Sequence, residues 1–381
     1  MRIGMFTDAY FPVISGVSVS VEALAKELRT LGHEVYVIAH DHEHAKPEEY
    51  VIRIPGHRLP MKGMREYRVG KVTRKLVLKM LSYQFDIVHC HTEFTMGRLG
   101  RRTARMSGAP VVLTYHTMYE DYVHFISKSL VIPLRFLAKW YIKWFAASTN
   151  AVIFPTIKVK KTFDGYGFKG QGSIIPTGIY LDKFKRPSED TTLTLYRKDL
   201  NLKDEDFVLL FLGRVSREKS ISSLISQVAK IPHNDIVLVI VGDGPDRPLF
   251  EKQVDELGIR NHVRFIGMVA PEDVARYYHL ADLFVNFSVT ETQGLTYIEA
   301  LASGLPLLVK YDYNLEGVVQ PGVNGFTFTN DDEFVQRVHE LYHDREALNV
   351  LQSNAAHAID HFSAQTYAGR VEAIYKTLYK G

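Results

Sequence analysis

Two carboxylates lie eight residues apart in the segment ETQGLTYIEALASGLPLLV, which covers residues 291–309. Carboxylates accept protons or hydrogen bonds from a bound substrate, so a fixed pair of them is a candidate for binding or catalysis. Glu291 precedes a helical pattern, where the helix dipole alone favours an acid. Glu299 lies inside the same pattern among apolar residues, where the dipole gives no reason for a charge. The pair therefore needs a chemical explanation as well as a structural one.

Two cations follow a predicted strand in the segment GRVSREKS. Arg214 and Lys219 suit a diphosphate, because charge-assisted hydrogen bonds to phosphate oxygens are stronger than neutral ones. Taken alone, such a pair is more often a set of solvated surface charges. The spacing leaves both interpretations open.

Small residues mark other positions where the backbone could approach a ligand. Gly242 in VGDGP and Gly267, followed by Met268, in FIGM each come directly after a predicted strand. Each is equally typical of a tight turn. Ser15 and Gly16 precede a helical pattern, where a phosphate cradle and a plain helix N-cap are equally consistent with the residues.

The histidines favour one substrate-facing position and no metal site. His89 and His91 alternate on one predicted strand without a third ligand nearby in sequence, and residues 41–44, DHEH, read as a polar loop. We therefore expect no metal. His116 follows a strand and enters the polar, aromatic segment TYHTMYEDY, which is typical of a group that faces a substrate.

Short apolar strands alternate with amphipathic helices along the chain. The strand patterns are RIGMFT, EVYVIA, DIVHCH and PVVLTY in the first half and FVLLFLG, DIVLVIVG, VRFIG, LFVNFS and PLLVK in the second. This alternation predicts an α/β fold with two parallel, doubly wound sheets, whose ligands bind at the carboxyl ends of the strands. A proline-rich, polar stretch near residues 175–190 predicts domains of residues 1–178 and 179–360. A helix in residues 361–381 could return to the first domain.

Composition supports a globular protein with an uneven charge distribution. The 381 residues are 46% hydrophobic and 23% charged, with 25 Lys+Arg against 14 Asp+Glu in residues 1–180 and 21 against 29 in residues 181–381. The basic half is expected to face something anionic. Cys90 is the single cysteine, which favours a reducing compartment. We expect no signal peptide and no spanning segment, and a cytoplasmic location.

Together the motifs GRVSREK, GDGP and ETQGLTYIE and the two Rossmann-like domains resemble the retaining GT-B glycosyltransferases of family GT4 over nearly the whole chain. The segments TDAYFPVISGVSVSV, HCHTEF, TYHTMYEDYVH, IPTGI and TETQGLTYIEALASG resemble its branch of bacterial 1,2-diacylglycerol 3-glucosyltransferases. The resemblance implies two facing domains with a cleft between them. It also implies transfer of glucose from UDP-glucose to membrane diacylglycerol, the first step of glucolipid and lipoteichoic acid anchor synthesis. The alternative is a GT4 enzyme with another nucleotide sugar, or with a soluble or already glycosylated lipid acceptor.

The resemblance also implies roles for individual residues. Glu291 would support charge at the anomeric carbon, Arg214 and Lys219 would neutralise the departing diphosphate without a metal or cofactor, and His116 would approach the sugar from the opposite domain. Glu299 would accept hydrogen bonds from both ribose hydroxyls. The positions expected to bind the nucleotide sugar are Ser15, Gly16, Gly242, Gly267, Met268, Thr292, Gln293, Gly294, Leu295, Thr296 and Glu299.

Three positions depart from the broad family pattern. Gln293 replaces a common phenylalanine, Ser220 stands where glycine or asparagine is common, and Ser15-Gly16 replaces a double glycine. The first and third of these fit the lipid-glucosylating branch.

Two helical patterns in the basic half carry cations beside apolar residues. In residues 128–147, cations and aromatic residues each recur every four positions: Arg135, Lys139 and Lys143, and Phe136, Trp140 and Trp144. Such a surface suits the headgroup layer of an anionic membrane, and the tryptophans favour membrane contact there. In residues 69–81, Lys71, Lys75 and Lys79 repeat the pattern, and an ordinary surface helix is equally consistent with them. We therefore expect a protein that is peripheral on the cytoplasmic face of the membrane.

Two functions from other classes fit less of the sequence. A nucleotide-dependent oxidoreductase would need a G-x-G-x-x-G motif after the first strand, where TDAYFPVISG stands instead. A module that only binds nucleic acid or membranes would leave the paired carboxylates without a purpose, and we expect no nucleic-acid partner. The sequence does not determine the oligomeric state.

Overall fold

The computed structural model describes residues 1–59, 67–118, 131–187 and 193–380. The chain divides into two compact units, Met1–Ile179 with His361–Gly381 and Tyr180–Asp360. This division falls one residue from the boundary that we predicted between residues 178 and 179. The C-terminal segment belongs to the first unit, the one to which we expected it to return.

The first unit contains a parallel sheet with helices on both faces. Its described strands are β1 (Arg2–Phe6), β2 (Glu34–His40), β3 (Val51–Ile54), β4 (His57–Arg58), β5 (Arg68–Val69), β6 (Ile87–Cys90), β7 (Val111–Thr114), β8 (Ala151–Phe154) and β9 (Gly172–Ile174). Its helices before the boundary are α1 (Gly16–Thr30), α2 (Arg74–Leu81), α3 (Thr95–Ser107), α4 (Val131–Ala147) and α5 (Ile157–Gly165). The sheet has the order β3-β2-β1-β6-β7-β8-β9 with all neighbours parallel, and β4 and β5 form a separate antiparallel pair.

The second unit repeats this plan with six parallel strands. Its described strands are β10 (Phe207–Leu212), β11 (Ile236–Val241), β12 (Val263–Gly267), β13 (Leu283–Asn286), β14 (Leu307–Lys310) and β15 (Gly325–Phe328). Its helices are α6 (Leu193–Asp199), α7 (Ile221–Val228), α8 (Arg247–Glu256), α9 (Val274–Leu280), α10 (Leu295–Ala302), α11 (Asp331–His343) and α12 (Arg345–Ala355). The strand order is β12-β11-β10-β13-β14-β15. The last helix of the chain, α13 (Ala364–Leu378), belongs to the first unit.

Each sheet buries both of its faces, because successive side chains of a strand point to opposite sides. In the first unit, Ile87 packs in a core layer with α1 and α13, and the next residue, Val88, packs in the other layer with α2 to α5. In the second unit, α7, α8, α11 and α12 share one core with the sheet. On the opposite side, the ring of Phe284 contacts Tyr278 of α9 and Tyr297 of α10. This two-sided burial explains why the strands read as continuous apolar runs.

No helix among the described residues combines the length and the apolar character that crossing a bilayer requires.

Candidate active site

An ion pair joins two of the predicted site residues in the second unit. The ammonium Nζ of Lys219 donates a hydrogen bond to Glu291 Oε1 over 2.6 Å, and the two side chains are only 15% and 16% exposed. Lys219 ends a 3₁₀ turn, Arg217–Lys219, that follows β10, whereas Glu291 follows β13. The fold thus brings together two charges that lie 72 residues apart in the chain.

The ion pair lies where the order of the sheet reverses. The chain proceeds from β10 to β11 and β12 on one side, and then returns to the other side of β10 with β13. In open α/β sheets, ligands bind outside the carboxyl ends of the strands at such a switch point. Lys219 and Glu291 follow the two strands that flank it, so the pair lies where this rule predicts a ligand.

One hydrogen bond between the two loops and one within the loop after β10 surround the pair. Thr290 Oγ1 donates to the backbone oxygen of Glu218 over 3.1 Å, and Ser216 Oγ donates to the Glu218 carboxylate over 2.5 Å. Ser220, directly after Lys219, has a left-handed backbone with φ 55°. Glycine and asparagine adopt that conformation most readily, which gives a physical reason why they are common at this position. Arg214 is half-buried on the same loop, after Gly213.

The start of α10 also requires a glycine. Gly294 caps this helix with φ 75°, and a Cβ placed there would come within 2.4 Å of the Tyr297 ring. The next amides, those of Leu295 and Thr296, open the helix, and the first N–H groups of a helix have no acceptor within it. Thr292 is half-buried and Gln293 is buried, and the backbone oxygen of Gln293 accepts a hydrogen bond from Asn314. The expected nucleotide-sugar positions 292–296 therefore lie together at the start of α10.

Glu299 is held by a tyrosine that sequence reasoning missed. The hydroxyl of Tyr278, on α9, donates to Glu299 Oε2 over 2.7 Å. Burial raises the pKa of the Glu299 carboxyl, and burial also raises the pKa of Tyr278 well above its usual range. No described residue hydrogen-bonds Glu299 Oε1, and the side chain remains partly accessible to solvent. Tyr278 thus fixes Oε2 of the carboxylate, and Oε1 has no hydrogen-bond partner among the described residues.

The strand-end glycines are explained first by backbone packing. Gly242 has φ 124°, and a Cβ there would lie 1.9 Å from the backbone oxygen of Gly213. Its amide donates to the backbone oxygen of Gly267 over 2.8 Å. Met268, which follows, is exposed. Close backbone packing therefore accounts for the glycine at position 242, and the role of these positions toward a ligand stays a prediction.

The first unit carries a row of histidines at the carboxyl ends of β6 and β7, of which His89 and His91 are buried and His116 is half-buried. His91 Nδ1 and His116 Nε2 share a hydrogen bond of 3.0 Å. His89 bonds to Tyr375 of α13 over 2.6 Å and to Thr114 over 2.7 Å. Burial lowers the pKa of both His89 and His116 to about 3 and lowers the pKa of His91 well below its usual range. These rings are therefore neutral near pH 7.

An aspartate, also missed from the sequence, organises the switch point of the first sheet, between β1 and β6. Asp8 accepts hydrogen bonds from the Thr92 hydroxyl over 2.6 Å and from the Met96 amide over 3.1 Å, and it contacts His40 at 3.1 Å. Ser15 is the N-cap of α1, because its hydroxyl accepts from the Ser18 amide in a capping box. Gly16 is the first residue of that helix. The structure thus shows the helix-cap interpretation of Ser15, and a phosphate role there stays a prediction.

Comparisons of the sequence with known proteins give matches over nearly the whole chain. The sequence model for "Glycosyltransferase Family 4" matches residues 14–183, and that for "Glycosyl transferases group 1" matches residues 194–358. An alpha-monoglucosyldiacylglycerol synthase from Acholeplasma laidlawii is 37% identical, over 99% of this chain and 97% of its own. One of the same name from Streptococcus pneumoniae is 35% identical, over 98% and 85%. This chain belongs to glycosyltransferase family 4. The protein is therefore a glycosyltransferase.

Solved structures agree on the fold of this glycosyltransferase. Anabaena HepE, crystallised with UDP and glucose, superposes with a TM-score of 0.80 over 99% of this chain and 100% of its own, at 19% sequence identity. The predicted GT-B class, with two Rossmann-like units, is confirmed.

Helix α4 of the glycosyltransferase exposes the aromatic stripe that we predicted. Phe136 is 75% exposed, Trp140 58% and Trp144 42%, while Ile142 and Phe145 on the other side anchor the helix in the core. The indoles of Trp140 and Trp144 stack at 6.4 Å, and the Arg101 guanidinium lies 4.0 Å from the Trp144 ring. The sequence before residue 131 that we included in this pattern lies outside the described residues.

The cations of α4 are less uniform than the sequence suggested. Arg135 is exposed, whereas Lys139 and Lys143 are half-buried. The ammonium of Lys139 lies 5.1 Å from the centre of the Tyr166 ring. The exposed face of α4 is therefore chiefly apolar, with positive charge along one side.

Helix α2 fits the description of an ordinary surface helix. Its Met80 is buried, and its Leu76 packs against the core. Val72, which precedes the helix, also packs against the core. Lys75 and Lys79 are exposed, and Lys71 precedes the helix, which begins at Arg74. The lysines thus lie on a solvated face, on which Leu78 is also exposed, while the other apolar side chains of the helix pack inward.

Proposed function

We propose that this glycosyltransferase transfers glucose from UDP-glucose to diacylglycerol at a membrane surface, with retention at the anomeric carbon. The product is α-monoglucosyldiacylglycerol. The observation that carries the proposal is the Lys219–Glu291 pair, which lies at the switch point of the second sheet. The names of the two relatives given above, which match over most of their own lengths, are the basis for proposing diacylglycerol as the acceptor and glucose as the sugar.

The donor is proposed to bind along α10 and the loop after β10. The amides of Leu295 and Thr296 open the helix and would bind a phosphate, as helix N-termini commonly do. The Lys219 ammonium has three N–H donors, so it can contact a phosphate oxygen while it keeps its bond to Glu291. The Glu299 oxygen that Tyr278 does not hold would accept from the ribose hydroxyls.

The reaction breaks the bond between the anomeric carbon and the diphosphate oxygen and forms a bond to the acceptor hydroxyl oxygen. The acceptor hydroxyl loses its proton, which the leaving diphosphate can accept. Negative charge grows on the diphosphate, and Arg214 and Lys219 would stabilise it, which is work that a divalent ion does in other transferases. Positive charge grows on the sugar, where the Glu291 carboxylate would oppose it. We propose that the reaction needs no metal and that retention follows the family resemblance.

The acceptor proposal rests on α4. Diacylglycerol stays in the bilayer, so an enzyme that uses it must work at the membrane surface. Exposed Phe136, Trp140 and Trp144 beside Arg135 suit the boundary between headgroups and acyl chains of an anionic leaflet. We propose a peripheral protein on the cytoplasmic face, with α4 as its contact.

The test is a transfer assay in mixed micelles with radiolabelled UDP-glucose, UDP-galactose or GDP-mannose, each with and without diacylglycerol. We expect label in lipid only with UDP-glucose and diacylglycerol together, and none with Glu291→Gln. A further arm replaces diacylglycerol with monoglucosyldiacylglycerol. Incorporation confined to that arm, or to another donor, would contradict the proposal and favour the alternative GT4 activity.

A further inference from the structure

Three histidines of the second unit converge on one point of its surface. His233, His339 and His343 each present one ring nitrogen, and the three nitrogens lie within 4.8 Å of one another. His339 and His343 are exposed and His233 is half-buried. Within the described residues, no other group of at least three potential ligands is this close.

The fold explains the convergence. His339 and His343 are four residues apart on α11, so both side chains lie on one face of the helix. His233 comes from the loop between α7 and β11. Helices α7 and α11 pack side by side in one core, which brings this loop to the last turn of α11.

Neighbouring groups orient the half-buried ring. Tyr342 stacks on His233 with ring centres 4.3 Å apart and an angle of 25° between the planes. The Tyr342 hydroxyl in turn donates to Asp235 over 2.6 Å. His233 Nε2 is buried and has no hydrogen-bond partner among the described residues. A buried ring nitrogen without a partner is costly, and a ligand that accepts its lone pair would remove that cost.

The electrostatics also favour a cation. His343 is the last residue of α11, where the helix dipole stabilises positive charge. The ring nitrogen of a neutral imidazole has a lone pair that a metal ion can accept.

We propose that His233, His339 and His343 bind a divalent transition-metal ion such as Zn²⁺, with water completing the coordination. Zn²⁺ binds imidazole nitrogens at about 2.0–2.1 Å. Rotation of the two exposed rings would place all three nitrogens at that distance from a single ion. The carboxylate of Asp235 fixes Tyr342 by a hydrogen bond, and the Tyr342 ring in turn stacks on His233.

The segment HELYH, residues 339–343, has the H-E-x-x-H spacing of zinc hydrolases, in which the glutamate activates water. Here Glu340 accepts hydrogen bonds from Arg337 over 2.6 Å and from Gln336 over 2.9 Å, both on the preceding turn. The carboxylate is thus engaged away from the histidines. The structure therefore favours metal binding without hydrolysis.

The site is separate from the proposed donor site. His233 precedes β11 and Gly242 follows it, so the two lie at opposite ends of a six-residue strand, about 20 Å apart. A bound ion would clamp the α7–β11 loop to the end of α11 and stabilise the second unit.

The test uses the untagged full chain, stripped of metal and titrated with Zn²⁺ against a chromophoric chelator. We expect one tight equivalent and a rise in melting temperature with Zn²⁺. His339→Ala and His343→Ala should each weaken binding at least about tenfold, and the double variant should lose the rise in melting temperature. Both side chains are exposed, so these changes should leave folding intact. His357→Ala, at another exposed histidine of the same unit, is the matched control.

Absence of a tight equivalent in the wild type, or equal affinity in the wild type and the double variant, would overturn the proposal. Transfer activity that is unchanged after chelation would support a site apart from the donor. Activity lost on chelation and restored by Zn²⁺ only in the wild type would overturn that separation.

Discussion

Lys219 and Glu291 form a largely buried ion pair, 2.6 Å long, between the loops that follow two adjacent strands. Removing one partner of a buried pair leaves the other charge uncompensated, so such a pair is sensitive to either change. In the proposed reaction the two members act on opposite charges, the ammonium on the leaving diphosphate and the carboxylate on the sugar. Replacing Lys219 should therefore impair a different part of the reaction from replacing Glu291.

Replacing Glu291 by glutamine should lower turnover far more than it weakens UDP binding. We expect kcat to fall about 100-fold or more, because a group that stabilises charge only in the transition state is lost. The affinity for UDP, measured by calorimetry, should change by less than about threefold. Glu256→Gln, at an exposed acid of the same unit, is the control. A loss of UDP affinity as large as the loss of kcat would place Glu291 at the nucleotide instead.

Lys219→Ala should reduce the rate about 100-fold to 1000-fold through lost charge stabilisation on the diphosphate. Magnesium should not restore it, if the two cations do the work of a metal. Lys252→Ala, an exposed lysine on α8, should leave the rate unchanged. Recovery of the Lys219→Ala variant in millimolar magnesium would show that a metal can serve this site.

The Tyr278–Glu299 hydrogen bond gives a prediction about pH. Burial raises the pKa of Glu299, and the bond from Tyr278 opposes that rise. Tyr278→Phe should raise the pKa further, so the carboxylate is protonated at a higher pH. Because a protonated Glu299 loses acceptor capacity for ribose, UDP affinity should fall at a higher pH in the variant than in the wild type. Calorimetry between pH 4.5 and 8 measures this, with Tyr277→Phe as the control, and coincident profiles would contradict the assignment.

Much of this fold could be predicted because its strands are buried on both faces. The nine predicted strand patterns all correspond to strands, from Arg2–Phe6 to Leu307–Lys310. The patterns missed β3, β4, β5, β8, β9 and β15, which span two to four residues each. The two-residue strands β4 and β5 are too short to show a periodicity, and the half-exposed β9 shows little.

The site was harder to predict than the fold. Local sequence shows that Lys219 and Glu291 each follow a strand, but it does not show that β10 and β13 are neighbours, and their contact depends on that pairing. Tyr278 escaped notice because it meets Glu299 through the packing of α9 on α10. His233 lies more than 100 residues from its two partners, although the i,i+4 pair in HELYH was a readable local signal. Contacts between separate elements thus account for most of what was missed.

The His91–His116 bond gives a second prediction about protonation. Burial lowers the pKa of His116 to about 3, so its ring should stay neutral from pH 5 to 8. NMR of the ring nitrogens should show no titration of His116 or His91 in this range. A midpoint near 6.5 for His116 would mean that the ring is charged in part of the working range.

The exposed face of α4 should control how the enzyme meets the bilayer. Basic residues near an anionic surface contribute about 1 kcal/mol each and are screened by salt. Replacing Arg135, Lys139 and Lys143 together should therefore weaken liposome binding most at low salt and high anionic lipid. Trp140→Ala and Trp144→Ala should weaken it at every salt concentration, because insertion of aromatic surface does not depend on charge.

Liposome flotation at several salt and anionic-lipid levels separates these two effects. The matched control replaces Lys71, Lys75 and Lys79, which are exposed at α2, where Val72, Leu76 and Met80 pack inward and Leu78 is exposed. We expect that control to retain the salt-independent part of binding, which the tryptophans provide. Equal flotation of the wild type and the α4 variants would remove α4 from the membrane contact. A loss confined to the control would instead place the contact at α2.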